Sequence, residues 1–408
     1  MTVVTIACEG VSAAKKLAAR RRRRIDAFHP SYRTAIAELT RCASAIEDLA
    51  DSFPALLFAL ASGYGTPAAR DRAAALVIAG APLRTASDAL GLPWWSRKLP
   101  AQALTAPLPA LPADCDFGLR IAGLVPSDDR TVGLWLTRVA HAIEACNARY
   151  ALWLARHTDA IASADEFFML LAAWAWFSEN PGHLGHQLVR KPWHPEISFR
   201  RAREELAIWR QRLRLIESLG FGIERPWLTD GSAGGHDFIA LRTANDFIAE
   251  SQALDNCLDQ YADQLRTGAT AVFSIRKNGR SVACVEIGLH ETEVTMPTIV
   301  QLRGARNRRA TPEVWQATFA WLGNQRLEPL APERHTPSAR KRSDARRRLW
   351  APYLAFLAGT RDAQAFRRLV LGPTPTRSMP LGRRRVLTPR IAHLDHMDPA
   401  SRSVRRPA

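Results

Sequence analysis

The sequence predicts an α+β protein: a mainly helical N-terminal region, then a small mixed module, then a basic C-terminal tail. Three observations predict this class. Apolar residues recur at three- and four-residue intervals from about Pro30 to Gly220. Between about Phe238 and Leu322 the pattern changes to a helix, short β-branched segments and a further helix. From Pro332 onward the chain has 18 Lys and Arg against 5 Asp and Glu, a net charge of +13.

Length and composition fit an ordinary globular protein. The chain has 408 residues, of which 47% are hydrophobic, so it can bury a sizeable core and form more than one domain. We expect a basic arm at residues 1–29, a helical region of one or two subdomains at 30–235, and the mixed module at 236–328. The Arg-rich tail at 329–408 is expected to be partly helical or disordered.

The expected location is the cytoplasm, without membrane contact. Six cysteines show no C-x-x-C spacing, so neither a zinc module nor a disulfide framework is predicted. The N-terminus lacks the apolar core of a secretory signal, and the longest apolar run, Phe167 to Phe177, is too short to cross a bilayer.

Four segments of the helical region have the clearest helical periodicity. They are Ala35 to Leu49, Leu134 to Leu154, Glu166 to Phe177 and Arg201 to Ile216. Residues 73–99 have the length of a helix-turn-helix, with a turn at residues 80–82 and a second helix capped by Thr85 or Ser87. That second helix offers few side chains that could reach base edges, so packing of two short helices is favoured over DNA binding.

The one histidine cluster does not predict a metal site. His183 and His186 have helical spacing, but Pro181, Gly182 and Gly185 argue against a helix there, and no carboxylate accompanies the pair. We therefore expect loop histidines, no metal ligands and no cofactor.

The mixed module begins with a capped helix. Thr243 and Asp246 form a capping-box pattern, and apolar positions then continue at helical spacing to Gly268. Strands are predicted at 270–276 and 281–287 around the hairpin signal Asn278-Gly279, with a third strand at 298–303 and a helix beginning near Thr311.

The hairpin register decides which side chains share a face of this sheet. A two-residue loop would put Glu286 beside Phe273, burying a carboxylate among hydrophobic side chains. A three-residue loop with a bulge at a left-handed Gly279 would instead align four polar residues on one face. We favour the bulge. The aligned residues are then Arg276, Glu286, Gln301 and Arg303, with Asn307 close by.

Two interpretations of that face stay open. It is either a structural ion-pair network or a recognition site in which Arg276 and Arg303 bind phosphate or carboxylate groups. In the second case Glu286 acts as a base or orients the ligand, and Gln301 and Asn307 donate hydrogen bonds.

These residues carry a resemblance to a known family. Four segments are similar to PcfJ-like proteins, which occur on bacterial conjugative plasmids, phages and integrated elements. The segments are residues 256–261, 272–276, 284–287 and 301–307. The resemblance covers about a fifth of the chain. It implies a mobile-element setting and a shared site built from Cys257, Tyr261, Arg276, Glu286, Gln301, Arg303 and Asn307, but no settled reaction.

One position departs from the family pattern, which has His before the cysteine where this chain has Asn256. An amide does not titrate near neutral pH, so Asn256 is assigned to ligand binding and not to acid–base catalysis. Cys257 and Tyr261 are catalytic candidates by resemblance. Their place on the apolar stripe of the predicted helix favours core packing over a nucleophilic role.

The leading functional hypothesis is an accessory protein of a bacterial mobile element, or its chromosomal relative, that binds nucleic acid or a phosphorylated ligand. The polar sheet face and the basic tail would supply the contacts. The first alternative is an enzyme acting on nucleic acid or nucleotide, with Glu286 as general base. The second is a protein-interaction module whose helical N-terminal region binds the partner and whose sheet is structural.

Overall fold

The computed structural model describes residues 19–108, 112, 114–224, 226, 228–289, 297–325 and 337–372. It confirms the α+β class: a helical region is followed by a five-stranded antiparallel sheet with its own helices. None of the helices in these ranges combines the length and the hydrophobicity that a membrane crossing needs.

Short helices build the region before the sheet. Its α-helices are Pro30–Cys42, Ser44–Ser52, Pro54–Ser62, Pro67–Ile78, Leu83–Leu90, Cys115–Ala122, Asp129–Ala145, Ala148–Ala155, Thr158–Ile161, Asp165–Glu179, Leu184–Gln187 and Phe199–Leu219. Two predicted long helices are in fact pairs. Extended backbone at Ala43 divides the first pair, and extended backbone at Asn147 divides the second. The Asn147 side chain accepts a hydrogen bond from the Tyr150 N–H and so caps the helix that follows.

The predicted helix-turn-helix segment consists of two adjacent helices, Pro67–Ile78 and Leu83–Leu90. The second begins directly after Pro82 and has no side-chain cap. The predicted caps Thr85 and Ser87 both lie inside it, and the Ser87 hydroxyl donates to the Arg84 carbonyl at 2.9 Å. The predicted cap is therefore wrong, because the N-cap is Pro82, three residues before Thr85, and its fixed φ leads directly into the helix.

Residues 19–26 of the expected basic arm are helical, and several of their arginines form ion pairs. Arg24 pairs with Asp51 and, at 3.5 Å, with Glu47, while Arg21 donates to the Thr40 hydroxyl at 3.0 Å. These contacts neutralise part of the N-terminal basic run.

The core of the helical region is rich in tryptophan. Trp135, Trp153, Trp174 and Trp209 are all fully buried in it. Part of the expected tail folds into the same core as helices Ala339–Phe356 and Ala363–Leu371. Trp350 and Tyr353 are buried there, and the Tyr353 hydroxyl donates to the Ala145 carbonyl at 2.8 Å.

The sheet is a meander in which each strand pairs with its neighbours in sequence. Its strands are β1 Gly231–Ala233, β2 His236–Ala240, β3 Thr270–Lys277, β4 Arg280–Leu289 and β5 Pro297–Gly304. Strands β3 to β5 match the prediction. The sequence analysis missed β1 and β2 because both are short, although Gly234-Gly235 between them is a hairpin signal.

Each face of the sheet packs against a different core. On one face, helix Pro312–Gly323, here called the outer helix, stacks Trp321 on Phe238 at 4.6 Å between ring centroids. On the other face, helix Ala244–Leu254, here called the pocket helix, shares its core with the helical region, together with Val272 and Cys284 of the sheet. The functional residues lie on this second face.

The hairpin between β3 and β4 fixes which residues reach that face. Lys277 pairs with Arg280, so the loop is the two-residue turn Asn278-Gly279, both with positive φ (52° and 74°). The extra residue is Val282, since Ile275 pairs with Ala283 but Arg276 pairs with Ser281.

The predicted three-residue loop is therefore wrong, but the predicted alignment is confirmed. One extra residue at Val282 reverses the side-chain faces beyond it, just as a bulge at the turn would. Glu286 consequently lies opposite Val272 in β3 and Gln301 in β5, and Cys284 lies opposite Arg303. Phe273, by contrast, contacts Trp321 on the other face.

Candidate functional site

A pocket of about 290 Å³ opens between the polar face of the sheet and the chain segment that follows the pocket helix. It is lined by Asn256, Cys257, Leu258, Tyr261, Val272, Cys284, Glu286, Gln301, Arg303 and Asn307. Seven of the eight residues singled out from the sequence thus surround one cavity. The eighth, Arg276, lies on the same face outside the pocket lining.

The end of the pocket helix creates the pocket wall. Its predicted capping box is present, with the Asp246 N–H donating to the Thr243 hydroxyl at 3.2 Å. The helix does not continue to Gly268 as predicted, because Asp255 takes a left-handed conformation (φ 49°) and ends it. The chain then forms the short turns Leu258–Gln260 and Ala262–Leu265. This break turns Asn256 and Cys257 towards the sheet.

Core packing is consequently the wrong prediction for Cys257, which is exposed and lines the pocket. Tyr261 is half-buried: its ring packs against the core of the helical region, and its hydroxyl reaches the pocket. Helical periodicity misplaced Cys257 because it assumed one continuous helix, whereas core packing is confirmed for the Tyr261 ring.

Tyr261, Glu286 and Gln301 form a hydrogen-bonded cluster on the pocket floor. The Tyr261 hydroxyl donates to Glu286 Oε2 at 3.0 Å, and Gln301 Nε2 donates to the same oxygen at 2.7 Å. Gln301 Nε2 also contacts the Tyr261 hydroxyl. Burial and the neighbouring Glu286 charge raise the pKa of Tyr261, so the phenol keeps its proton at neutral pH. Two neutral donors therefore orient a carboxylate that is only 9% exposed.

Arg303 and Asn307 form the opposite wall. Within the described residues the Arg303 guanidinium forms no salt bridge and no side-chain hydrogen bond, although it lines a pocket that contains a carboxylate. Asn307 Nδ2 lies 3.9 Å from Cys257 Sγ. Arg306 and Asn307 both have φ of 55°, a conformation that is costly for residues other than glycine. An ion pair from Arg306 to Asp255 at 3.2 Å joins two of these left-handed residues across the rim.

Asn256 holds a second thiol in place. Its Nδ2 lies 3.7 Å from Cys284 Sγ, while its Oδ1 accepts a hydrogen bond from the Leu258 N–H at 3.1 Å. Both ends of the amide are thus engaged within the protein. Burial raises the pKa of Cys284 to about 12, with smaller effects from the charges of Glu250 and neighbouring groups, so this thiol is protonated at neutral pH.

A polar network continues along the sheet beside the pocket and includes Arg276. Arg276 Nε donates to the Ser274 hydroxyl at 3.2 Å, and Ser281 Oγ donates to Glu250 Oε2 at 2.9 Å. Glu250 is buried, and its Oε1 has no hydrogen-bond partner in the described part of the chain. Burial raises the pKa of Glu250, and hydrogen bonds from Ser281 and Ser274 and the charge of Arg276 oppose that shift. Arg276 therefore belongs to a structural network next to the pocket.

A buried ion pair fixes the pocket segment to the helical region. Arg212 of helix Phe199–Leu219 is 2% exposed and donates through Nε to Asp259 Oδ2 at 2.9 Å. Arg212 Nη1 also donates to the Leu188 carbonyl at 3.2 Å. Breaking such a pair by removing one partner costs about 3–5 kcal/mol. The pocket wall is therefore held by the helical region as well as by the sheet.

Three residues of this neighbourhood were not selected from the sequence: Cys284, Glu250 and Asp259. Strand alternation placed Cys284 on the face of Glu286, which was a usable signal. Glu250 and Asp259 gave none, because their partners lie 31 and 47 residues away in the chain.

The histidine cluster is engaged in packing. His186 Nδ1 lies 2.7 Å from the Phe177 carbonyl oxygen, and the His183 ring stacks on Trp176 at 5.6 Å. Where a loop was predicted, residues Leu184–Gln187 form a single helical turn. In the parts of the chain that the structure covers, no three His, Cys, Asp or Glu side chains are grouped as a metal site requires.

Comparison with known proteins agrees with the resemblance found in the sequence. Residues 230–319 match the family model described as PcfJ-like protein. The match spans the sheet, the pocket helix and most of the outer helix, and so contains every residue that lines the pocket. No curated protein matches the chain, and no solved structure does.

Proposed function

We propose that the pocket binds a phosphorylated ligand of nucleotide type, either free or as the end of a nucleic-acid strand. The observation that carries the proposal is an arginine without a carboxylate partner, Arg303, in a pocket whose own carboxylate is oriented by Tyr261 and Gln301. A guanidinium of this kind suits the two-pronged binding of a phosphate.

Glu286 defines the second half of the ligand. A carboxylate accepts hydrogen bonds, so it selects N–H or O–H groups such as those of a base edge or a sugar. A volume of about 290 Å³ accommodates one such group and excludes a duplex. A phosphate on Arg303 and a polar ring against Glu286 together describe a nucleotide.

The basic C-terminal residues extend the proposal to longer nucleic acids, since phosphate contacts by arginine give a salt-dependent affinity. The resemblance to PcfJ-like proteins adds a bacterial mobile element and the cytoplasm as the setting. Both belong to the proposal.

The test compares two arginine variants. The ligands are adenosine 5′-monophosphate and a fluorescent ten-nucleotide single strand, with and without a 5′-phosphate. We expect Arg303→Gln to weaken binding at least tenfold, about 1.4 kcal/mol. Arg308→Gln is the matched control, because Arg308 is exposed in the same segment but does not line the pocket. Equal affinities of the two variants for both ligands would refute the assignment. The 5′-phosphate dependence separates a strand end from a free nucleotide.

A catalytic role is the second candidate, and the strained backbone at Arg306 and Asn307 beside a positioned carboxylate favours it. In that case Glu286 acts as general base, with Arg303 stabilising developing charge. Asn256 argues for binding instead, because an amide at the position of the family histidine cannot transfer protons near neutral pH. Both ends of that amide also contact other groups of the protein. Turnover of a nucleotide or nucleic acid that Glu286→Gln abolishes in a folded protein would support the enzyme.

The protein-interaction alternative makes a different prediction. A partner would be captured through residues before the sheet, and the pocket substitutions Arg303→Gln and Glu286→Gln would leave that capture unchanged. The helical region also contains a cavity of its own.

A further inference from the structure

A second and larger cavity, of about 750 Å³, lies in the helical region. It is enclosed by helices Leu83–Leu90 and Cys115–Ala122 and by the turn Trp94–Lys98. Its lining is mainly apolar and includes Leu92, Trp95, Leu119 and Ala122. Leu119 is 78% exposed at the rim. A concave apolar site of this size is typical of small-molecule binding.

Trp95 contributes a buried aromatic ring to the cavity wall. The residue is 5% exposed, with its ring edge-on to Trp135, and its Nε1 is buried without a hydrogen-bond partner among the described residues. Other buried indoles in this region do have one: Trp135 donates to the Ala155 carbonyl at 3.2 Å and Trp153 to the Ile197 carbonyl at 2.7 Å.

The Trp95 nitrogen is itself buried, as are the indole nitrogens of Trp174, Trp193 and Trp350, which also have no partner among the described residues. The Trp95 ring therefore contributes apolar surface to the cavity, and its N–H lies out of reach of a ligand.

Gly118 leaves room at the same edge of the indole. A Cβ at Gly118 would stand 3.5 Å from Trp95 Cδ1, the ring carbon bonded to Nε1. Gly118 has no side chain to cover that edge, and it also lines the cavity. A larger residue at this position would occupy the space that a ligand needs.

The charges around the cavity favour an anionic ligand. Arg84, Arg97 and Lys98 border it, and within the described residues none of them pairs with a carboxylate. Arg97 lies over the Trp94 ring at 5.2 Å, and Lys98 Nζ donates to the Ala122 carbonyl at 2.8 Å.

Two carboxylates border the cavity as well. Asp114 is committed to capping its helix, since its Oδ1 accepts from the Phe117 N–H at 2.7 Å. Asp88 is the other, so the cations remain in excess.

We propose that this cavity is a second binding site, for a small amphiphile with a flat or extended apolar body and one anionic group. The apolar lining takes the body, and the three cations attract its charge. The site is independent of the pocket on the sheet.

The probe for the test is 1-anilinonaphthalene-8-sulfonate, used with the full chain. We expect one molecule to bind per chain, with stronger fluorescence. Gly118→Leu fills the space beside Trp95 and should weaken binding at least tenfold. Gly323→Leu is the matched control, because Gly323 also lies in a helix but has no atom near its missing Cβ. Arg84→Gln removes one of the cations that border the cavity, and should weaken binding of the sulfonate about fivefold.

A neutral analogue, N-phenyl-1-naphthylamine, tests the charge. It should bind at least fivefold more weakly than the sulfonate, and added salt should reduce that difference. Equal affinity of the two compounds would overturn the anionic part of the proposal. Unchanged sulfonate binding by Gly118→Leu, or no binding by the folded wild-type chain, would overturn the site. If Gly118→Leu does not fold, as judged by its melting curve, unchanged sulfonate binding by Arg84→Gln overturns the site.

Discussion

At the scale of single residues, the site depends on which polar groups have partners and which do not. Glu286 is oriented by two neutral donors, and Arg303 faces the pocket without a carboxylate. Cys257 and Cys284 line the same cavity but differ in exposure and in hydrogen bonding. These differences have measurable consequences.

The two pocket thiols should react at very different rates. Burial raises the pKa of Cys284 to about 12, so only about one molecule in ten thousand carries its thiolate at pH 8. Cys257 is exposed. We expect iodoacetamide to modify Cys257 in the native protein at least a hundredfold faster than Cys284, as followed by peptide mass spectrometry. Both should react alike in urea, and similar native rates would contradict the burial of Cys284.

Glu250 should make stability depend on pH. Burial raises its pKa, so the folded state favours the protonated form, and stability is lost as pH rises through the folded-state pKa. Glu250→Gln removes the charge and keeps an oxygen that can accept from Ser281. We expect this variant to be more stable than the wild type at pH 8 in urea unfolding, with the gain fading towards pH 4. A less stable variant at pH 8 would show that attraction to Arg276 outweighs burial.

At the scale of elements, strands β3 to β5 were predicted well and the pocket segment was not. Alternation of polar and apolar residues identified both faces of the sheet, because one face contacts Trp321 and the other the pocket. The helix end at Asp255 could not be predicted, since Asp seldom takes the left-handed conformation that glycine usually provides there. The length of the hairpin loop also escaped prediction. An extra residue in the loop and an extra residue at Val282 place the same side chains on each face of the sheet, so the pattern of polar residues cannot distinguish them.

Removing the bulge should abolish the pocket without removing the turn. Without Val282, the pairs Arg276–Ser281 and Ile275–Ala283 would follow each other with no extra residue between them. The side chains beyond this point would then change faces, and Glu286 would point to the apolar face of the sheet that packs against Trp321. We expect loss of ligand binding and a destabilisation of several kcal/mol, because a carboxylate would be buried among hydrophobic side chains. The check is urea unfolding, with Val282→Ala as a control that keeps the bulge. Wild-type affinity in the deletion variant would contradict this role of Val282.

At the scale of the whole molecule, folding connects regions that the sequence suggested were separate. Trp350 and Tyr353, from the expected basic tail, are buried in the core of the helical region, and the Arg212–Asp259 pair ties that region to the pocket segment. The sequence predicted the net charge of the tail but not this packing, because contacts such as Tyr353 to Ala145 span 208 residues. Charge counts carry no information on such contacts.

The position of a truncation therefore decides what it tests. Ending the chain after Gly372 removes 8 Arg and 2 Asp and leaves both C-terminal helices. We expect this variant to melt like the wild type and to show a smaller salt dependence of nucleic-acid affinity. Ending the chain at Pro332 should instead destabilise the fold, because Trp350 and Tyr353 leave the core. Equal melting temperatures for the two truncations would contradict this packing.

Helix Ala339–Phe356 follows the sheet in sequence but packs in the core of the helical region that precedes it. The sheet is therefore an insertion within the helical region. The segment that matches the family, residues 230–319, is preceded and followed by chain that completes one and the same core. Excised with the rest of the outer helix to Gly323, it would keep its packing around Trp321 but would expose Phe247, Leu254 and Leu258, which the helical region covers. A minimal binding fragment of this protein must therefore include helices from both sides of the insertion.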